Sequence, residues 1–284
     1  MSAEEQRRQD SAHAVSQAQG QPVRQPVEQR TTPSGLAYAV SGPDDGRLII
    51  LVHGAMDRMA GMHKLARRFD DRFRVLRYDR RGYGASVPHD GPFGIEQQVD
   101  DLLELIDGAH AVVVGHSLGG DIALAAAQRA RGQIDAVVAF EPPQSWEPWW
   151  PADGATAGGA ALGVDPFDAA ETFMRRLIGD RMWERLPQST KDARRAEGPA
   201  LVGELRSIRS GPPFEPSEIE QPVFFGCSEL GRPHHQRGTS LLAEQVPNGT
   251  LVTIAQASHG AHASHPEQFA ALLVWPALRA AGYA

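Results

Sequence analysis

Short apolar runs recur along this chain at intervals that leave room for a helix between them. Leu48-Ile49-Ile50-Leu51-Val52 and Ala111-Val112-Val113-Val114 are uninterrupted and bounded by turn residues, which predicts strands covered on both faces. Leu36 to Val40, Phe73 to Tyr78, Ile134 to Phe140, Pro222 to Gly226 and Thr250 to Ile254 read as further strands. Between them the period changes. Ile95, Val99, Leu102, Leu103 and Ile106 share one face of a predicted helix, and Leu65 to Phe69 and the alanine-rich stretch Asp121 to Ala130 predict two more. Pro266 at a first-turn position opens a closing helix through Phe269, Leu272, Leu273 and Trp275. Strands alternating with helices imply an α/β fold with a mostly parallel sheet and helices on both faces.

The rhythm stops twice. Residues 1–30 are rich in glutamine and charge and nearly devoid of large apolar side chains, so they cannot bury enough surface to offset their ordering entropy. A disordered or loosely docked tail ahead of a single domain over residues 31–284 is expected. Between about residues 142 and 216 the strand pattern gives way to Trp146, Trp149 and Trp150 among prolines, then a glycine- and alanine-rich stretch from Gly154 to Gly163. Asp165-Pro166 reads as an N-cap with proline at the first helical position, leading into a helix over Phe167 to Ile178. A shorter helix around Arg181 to Leu186 follows, then helical sequence across Ser189 to Ile208, interrupted at Gly198-Pro199.

The candidate chemistry sits directly after one of the apolar runs. Gly115-His116-Ser117-Leu118-Gly119-Gly120 lies between a predicted strand and a predicted helix, the context a Gly-x-Ser-x-Gly nucleophile elbow requires. A turn that tight forces strained angles on the serine and demands small residues two before and two after it. Upstream, His53-Gly54-Ala55 follows the first buried strand, and Asp79-Arg80-Arg81-Gly82-Tyr83-Gly84-Ala85-Ser86 follows the next. With these three motifs in this order and spacing, the sequence resembles the α/β-hydrolase superfamily over roughly residues 35–282. The resemblance implies an eight-stranded, mostly parallel sheet, with residues 142–216 as a helical cap over the site.

A serine hydroxyl needs a neighbouring base, and in this superfamily the triad follows the chain order serine, acid, histidine. That order implies His259, in the loop Ala257-Ser258-His259-Gly260 after the last predicted strand; His262 and His265 are read as surface-loop histidines. For the acid, the usual family position three residues beyond a glycine is filled by Glu229 in Gly226-Cys227-Ser228-Glu229. Glu141, after the strand ending at Phe140, occupies the place used by a minority of members. Glu229 is favoured. The oxyanion hole is expected from the N–H groups of Ala55 and Leu118. His53 and His116 each flank a required turn and are read as structural. Trp146, Phe173, Met174 and Trp183 either line an apolar substrate pocket or glue the cap to the core; Asp57 and Arg58 either contact substrate or fix their loop.

Composition narrows the class without changing it. Net charge is −7, which argues against a nucleic-acid partner, and no segment is apolar for long enough to suggest a membrane span or a secretory signal. The single cysteine, Cys227, fits a reducing, cytoplasmic setting. No metal-ligand spacing and no G-x-G-x-x-G are present along the chain, so neither metal nor cofactor is expected. The resemblance implies a serine hydrolase of the carboxylesterase type, cleaving an ester, thioester or lactone of a small to medium apolar substrate. Alternatives on the same fold are a cofactor-free haloperoxidase, a carbon–carbon bond hydrolase or a non-enzymatic small-molecule receptor. Serine at position 117 argues against epoxide hydrolases and haloalkane dehalogenases, which need a carboxylate nucleophile there.

Overall fold

The computed structural model of the chain describes residues 28–151 and 154–284. Eight strands form one sheet: β1 (Gln29–Thr31), β2 (Ala37–Ser41), β3 (Leu48–Val52), β4 (Arg74–Tyr78), β5 (Ala111–His116), β6 (Ile134–Phe140), β7 (Val223–Ser228) and β8 (Gly249–Ile254). Their order is β1-β2-β4-β3-β5-β6-β7-β8, with β1 and β2 antiparallel to their neighbours and the rest parallel. The strand β1 has no apolar pattern and all three residues are exposed, so only main-chain pairing to Ala37–Ala39 reveals it. Gln29 and Arg30 therefore belong to the sheet and not to the expected tail, whose first 27 residues lie outside the described ones.

Side-chain alternation divides the core into two faces. Leu48, Ile50 and Val52 of β3 meet the helix Ile95–Ile106 and the helix Leu118–Arg129. Ile49 and Leu51 turn to the other face, against Leu65, Phe69, Phe269 and Leu273. Every β3 residue is buried, which explains the unbroken apolar run, and each such side chain is worth about 1.5–3 kcal/mol of transfer free energy. The closing helix is not one smooth helix: Pro266–Phe269 and Trp275–Ala280 are α-helical, but Ala270–Val274 forms a π turn. Pro276 has no N–H to give to the preceding turn, and the wider turn accommodates its ring. A helix at Pro233–Gln245, between β7 and β8, has only Gly238, Thr239 and Leu242 buried and so left little apolar periodicity to read.

Among the described residues, five α-helices lie between β6 and β7: Ala157–Ala161, Pro166–Ile178, Asp180–Arg185, Gln188–Arg195 and Gly198–Ser210. Asp165 caps the second by accepting the Phe167 N–H at 3.0 Å. This insertion has its own apolar centre, which also takes in Met56 and Tyr83 from the loops after β3 and β4. Buried charge fastens it down. Arg80 and Glu204 are both fully buried and 2.7 Å apart, while Glu197 binds the Gly84 N–H at 2.9 Å and Arg58 at 2.7 Å. Among the described residues, no helix is long and apolar enough to cross a membrane.

The parallel registers place the strand ends side by side. Val52 is opposite Gly115, His116 opposite Phe140, Phe140 opposite Gly226 and Ser228 opposite Ile254. His53, Ser117, Glu141 and Glu229 thus emerge at one edge of the sheet, where an open α/β sheet builds its site.

Candidate active site

Ser117 links β5 to the helix Leu118–Arg129 with φ 52° and ψ −127°, and it is half-buried. The smallness of its neighbours is a packing necessity. A Cβ at Gly115 would stand 2.2 Å from the Gly119 carbonyl oxygen, and one at Gly119 would stand 2.3 Å from that of Val52. The Ser117 N–H donates to Phe140 O at 2.8 Å, which ties the elbow to the end of β6. Among the described residues, five non-glycine residues have positive φ: Met56, Asp107, Ser117, Glu141 and Gln256. All but Asp107 stand in the loops at this edge of the sheet, and such strain persists only where surrounding packing enforces it.

The expectation that Glu229 reaches His259 is not met. His259 Nδ1 lies 2.6 Å from Glu141 Oε2. Glu141 is fully buried, and its Oε1 accepts the Ser228 N–H at 2.8 Å and the Ser228 hydroxyl. Burial pushes the Glu141 carboxyl up, but the hydrogen bonds to His259 and Ser228 outweigh it and hold the group below its usual range. Alternation along β7 explains why Glu229 fails. Ser228 faces Glu141, so the next side chain faces away. The Glu229 main chain stays with β8 through an N–H bond to Ile254 O at 3.1 Å, and its carboxylate binds Gln256 N–H at 2.8 Å and the Gln256 amide at 3.1 Å. Counting residues from Gly226 lands on Glu229; the pleat puts Ser228 at the site instead.

His259 stands within a row of imidazoles. The ring centroid of His116 is 4.7 Å from that of His259 on one side, and His235 stacks on the other at 4.7 Å and 26°. His234 and Trp150 continue the row beyond His235. Burial first, and then the neighbouring His259, push His235 far below the ordinary imidazole value. Burial, then His262 and His259, do the same to His116, whose Nε2–H donates to the His259 carbonyl at 2.8 Å. Both are neutral rings beside the histidine that pairs with Glu141. His262 is not on the surface: it is 5% exposed and its Nε2 is 3.3 Å from Asp57 Oδ2. His265 is half-buried, and its Nδ1 lies 2.8 Å from the Ser264 hydroxyl. His234 and His235 carry no signal in the sequence, because a His-His pair on a weakly patterned helix has no telling spacing; Trp150, which meets them, is marked there by the aromatic run at 146–150.

The turn expected to donate to an oxyanion is braced by its neighbours. His53 is fully buried; its Nδ1–H donates to Gly54 O at 2.8 Å and its Nε2 accepts the Arg80 N–H at 3.0 Å. Burial, then Arg80, lower its pKa to about 3, so it is a neutral structural ring. The Arg80 guanidinium holds the carbonyls of His53 at 2.9 Å and Gly54 at 3.1 Å. Asp79 accepts the N–H groups of Met59 at 2.7 Å and Ala85 at 2.8 Å, tying the loops after β3 and β4 together. Gly54 packs against the elbow, since a Cβ there would stand 3.0 Å from the Ser117 Cβ. Leu118 is the first residue of its helix, where N–H groups have no intrahelical acceptor, and Ala55 follows the braced turn.

Of the aromatic and thioether residues considered for a substrate pocket, Met174 and Trp183 belong to the insertion's own core, 6% and 1% exposed, with Phe173 packed against it. Trp146 lies elsewhere. It meets Phe214 edge-on at 6.1 Å and lines a surface cavity of about 460 Å³ whose walls include neither Ser117 nor His259. Packing of the insertion accounts for three of these residues. Asp57 accepts the Arg58 N–H at 2.8 Å, and Arg58 reaches Glu197, so both fix their loop.

A sequence model of the alpha/beta hydrolase family matches residues 49–272. The chain belongs to that family. It is 29% identical over 118 residues to a 2-(acetamidomethylene)succinate hydrolase of Mesorhizobium japonicum, covering 40% of this chain and 42% of that protein. It is 30% identical over 96 residues to the esterase YbfF of Escherichia coli, covering 33% and 37% of the two chains. The matched segments thus span about two-fifths of those curated relatives' own lengths. Among solved structures, an enol-lactonase from Burkholderia xenovorans superposes with a TM-score of 0.66 at 22% identity, over 85% of this chain and 96% of that one. At that identity the likeness concerns the fold.

Proposed function

We propose that the protein is a serine hydrolase that cleaves an ester-like bond of a small to medium apolar substrate through an acyl-enzyme. The observation that carries this reading is the strained Ser117 elbow beside the His259–Glu141 pair. Glu141 accepts the Nδ1–H of His259, which leaves Nε2 with the lone pair a general base needs. His259 takes the Ser117 proton as the hydroxyl attacks the carbonyl carbon, and the N–H groups of Leu118 and Ala55 hold the developing oxyanion. His259 then gives the proton to the leaving group, and water activated by the same base releases the acid and restores the serine. Glu141 remains ionised throughout, stabilising the imidazolium; its depressed pKa suits that role. The name of one relative, an esterase, supports the bond class.

A fluorophosphonate probe should label one serine, Ser117, and Ser117→Ala should abolish labelling and the hydrolysis of p-nitrophenyl esters, thioesters and lactones alike. Ester turnover that survives Ser117→Ala would falsify the covalent route. Stoichiometric binding of an ester-like ligand without turnover in the unaltered chain would favour a receptor instead.

A further inference from the structure

Asp57, His116 and His262 come from three separate segments: the loop after β3, the end of β5 and the loop after β8. Each offers one ligand atom within 4.8 Å of the others. The His262 Nε2 to Asp57 Oδ2 separation is 3.3 Å. That is about the spacing of two ligands on a tetrahedral ion with bonds of about 2.0–2.1 Å. His116 is constrained further. A main-chain carbonyl only accepts, so the 2.8 Å contact to His259 O puts the His116 proton on Nε2 and leaves a lone pair on Nδ1. That Nδ1 is buried with no hydrogen-bond partner among the described residues, and so is His262 Nδ1. An imidazole whose far nitrogen donates to a carbonyl is the arrangement metal-ligating histidines adopt. In front of His116 Nδ1 stands Gly54, where a Cβ would lie 3.0 Å away, so the missing side chain leaves that nitrogen approachable. The Asp57 side chain is 27% exposed and gives an ion a route in.

We propose that Asp57, His116 and His262 form a site for one divalent transition-metal ion of the zinc class, a two-histidine, one-carboxylate set with its fourth position left to water. Imidazole and carboxylate together suit such an ion better than calcium or magnesium, which take oxygen ligands. An ion held there cross-links the three loops that carry the braced turn, the elbow and His259. The competing cluster of Glu141, His235 and His259 fits less well, because His259 Nδ1 and Glu141 Oε2 stand 2.6 Å apart, a hydrogen-bond distance shorter than the about 3.3 Å between two ligands of one tetrahedral ion. Linear spacing hid the site, since its ligands meet only after three strands are aligned.

The test uses the full chain, stripped with a chelator and titrated with Co²⁺ as a spectroscopic stand-in for Zn²⁺. One Co²⁺ per chain should bind with visible ligand-field bands, be displaced by Zn²⁺, and raise the thermal midpoint. His262→Asn and Asp57→Asn should each weaken binding by more than the about 10–100-fold that loss of an outer-shell partner costs. His235→Asn and Ser117→Ala should bind as the parent does, and the second of these makes the result independent of the catalytic reading. Absence of saturable Co²⁺ binding, binding unchanged in both His262→Asn and Asp57→Asn, or binding lost instead in His235→Asn would each overturn the proposal. Should His262→Asn fail to fold, Asp57→Asn, altered at the exposed side of the cluster, decides the matter, with circular dichroism confirming its fold.

Discussion

Replacing Glu141 by glutamine changes no volume and one proton-bearing group, and the surroundings dictate how the amide must sit. The Ser228 N–H can only donate, and it points at Oε1 from 2.8 Å. The amide oxygen must therefore take the Oε1 place, which leaves the NH₂ facing His259 Nδ1 across the 2.6 Å contact. Two donors cannot share that contact, so Nδ1 must accept and the ring proton moves to Nε2. The tautomer is then the wrong one to act as base. A wrong-tautomer triad loses about 10⁴-fold in kcat, or about 5.4 kcal/mol of barrier at about 1.36 kcal/mol per decade, with KM little changed. Steady-state kinetics on the best p-nitrophenyl ester, with Glu229→Gln measured beside it, is the assay. The Glu229 carboxylate binds Gln256, and its backbone binds β8 and the Gln236 amide, so Glu229→Gln should stay within about threefold of the parent. Glu141→Gln within tenfold of the parent, or an equal loss in Glu229→Gln, refutes the reasoning.

Gly119→Ala forces a Cβ to within 2.3 Å of the Val52 carbonyl oxygen and should cost about 1–3 kcal/mol or more in urea unfolding, whereas Gly132→Ala, with nothing within 4 Å, should be near neutral; equal effects would show that the elbow packing is not what demands glycine. Glu204→Ala leaves the fully buried Arg80 charge unpaired and should destabilise by about 3–5 kcal/mol, with ester turnover falling as the His53–Gly54 turn loosens; an unchanged melting temperature would count against the anchor. His53 is neutral when folded, with a pKa of about 3 against an ordinary value near 6.5. The unfolded chain therefore binds a proton that the native one refuses, so stability falls as pH drops below about 6.5. Between pH 7.5 and 5.5 this ring alone removes about 1.4 kcal/mol, and the buried His235 acts in the same direction. Urea midpoints at the two pH values measure it, and a midpoint that rises on acidification contradicts it.

What could be read from the chain was whatever local periodicity encodes. The runs of β3 and β5 and the stripe of Ile95–Ile106 are each buried along their length or on one face, and the structure places them where the pattern did. Ser117 was legible because steric necessity writes glycine on both sides of it. The carboxylate that meets His259 was not, because its identity depends on pleat phase at the end of β7, and a single residue of phase decides whether Glu229 or Ser228 faces Glu141 and His259. The burial of His262 and the row His234-His235-His259-His116 depend on which loops the registers bring together, and no linear spacing records that. Strand β1 was invisible for a different reason: an edge strand made of Gln29, Arg30 and Thr31 earns its place through backbone bonds alone.

Glu141 is the last residue before the chain leaves the sheet for the insertion, and Pro142 begins that departure. The turn at His53-Gly54, Ser117 and Glu141 are therefore all laid down in one continuous stretch of chain, and His259 is delivered from beyond the insertion's helices. The segment between Pro142 and β7 accordingly lies outside the stretch that joins Ser117 to Glu141. An acid at the end of β7 would have put the whole insertion between the two. A change in the insertion's helices would thus, on the proposed reading, leave the proposed nucleophile and its acid joined by the same short length of chain.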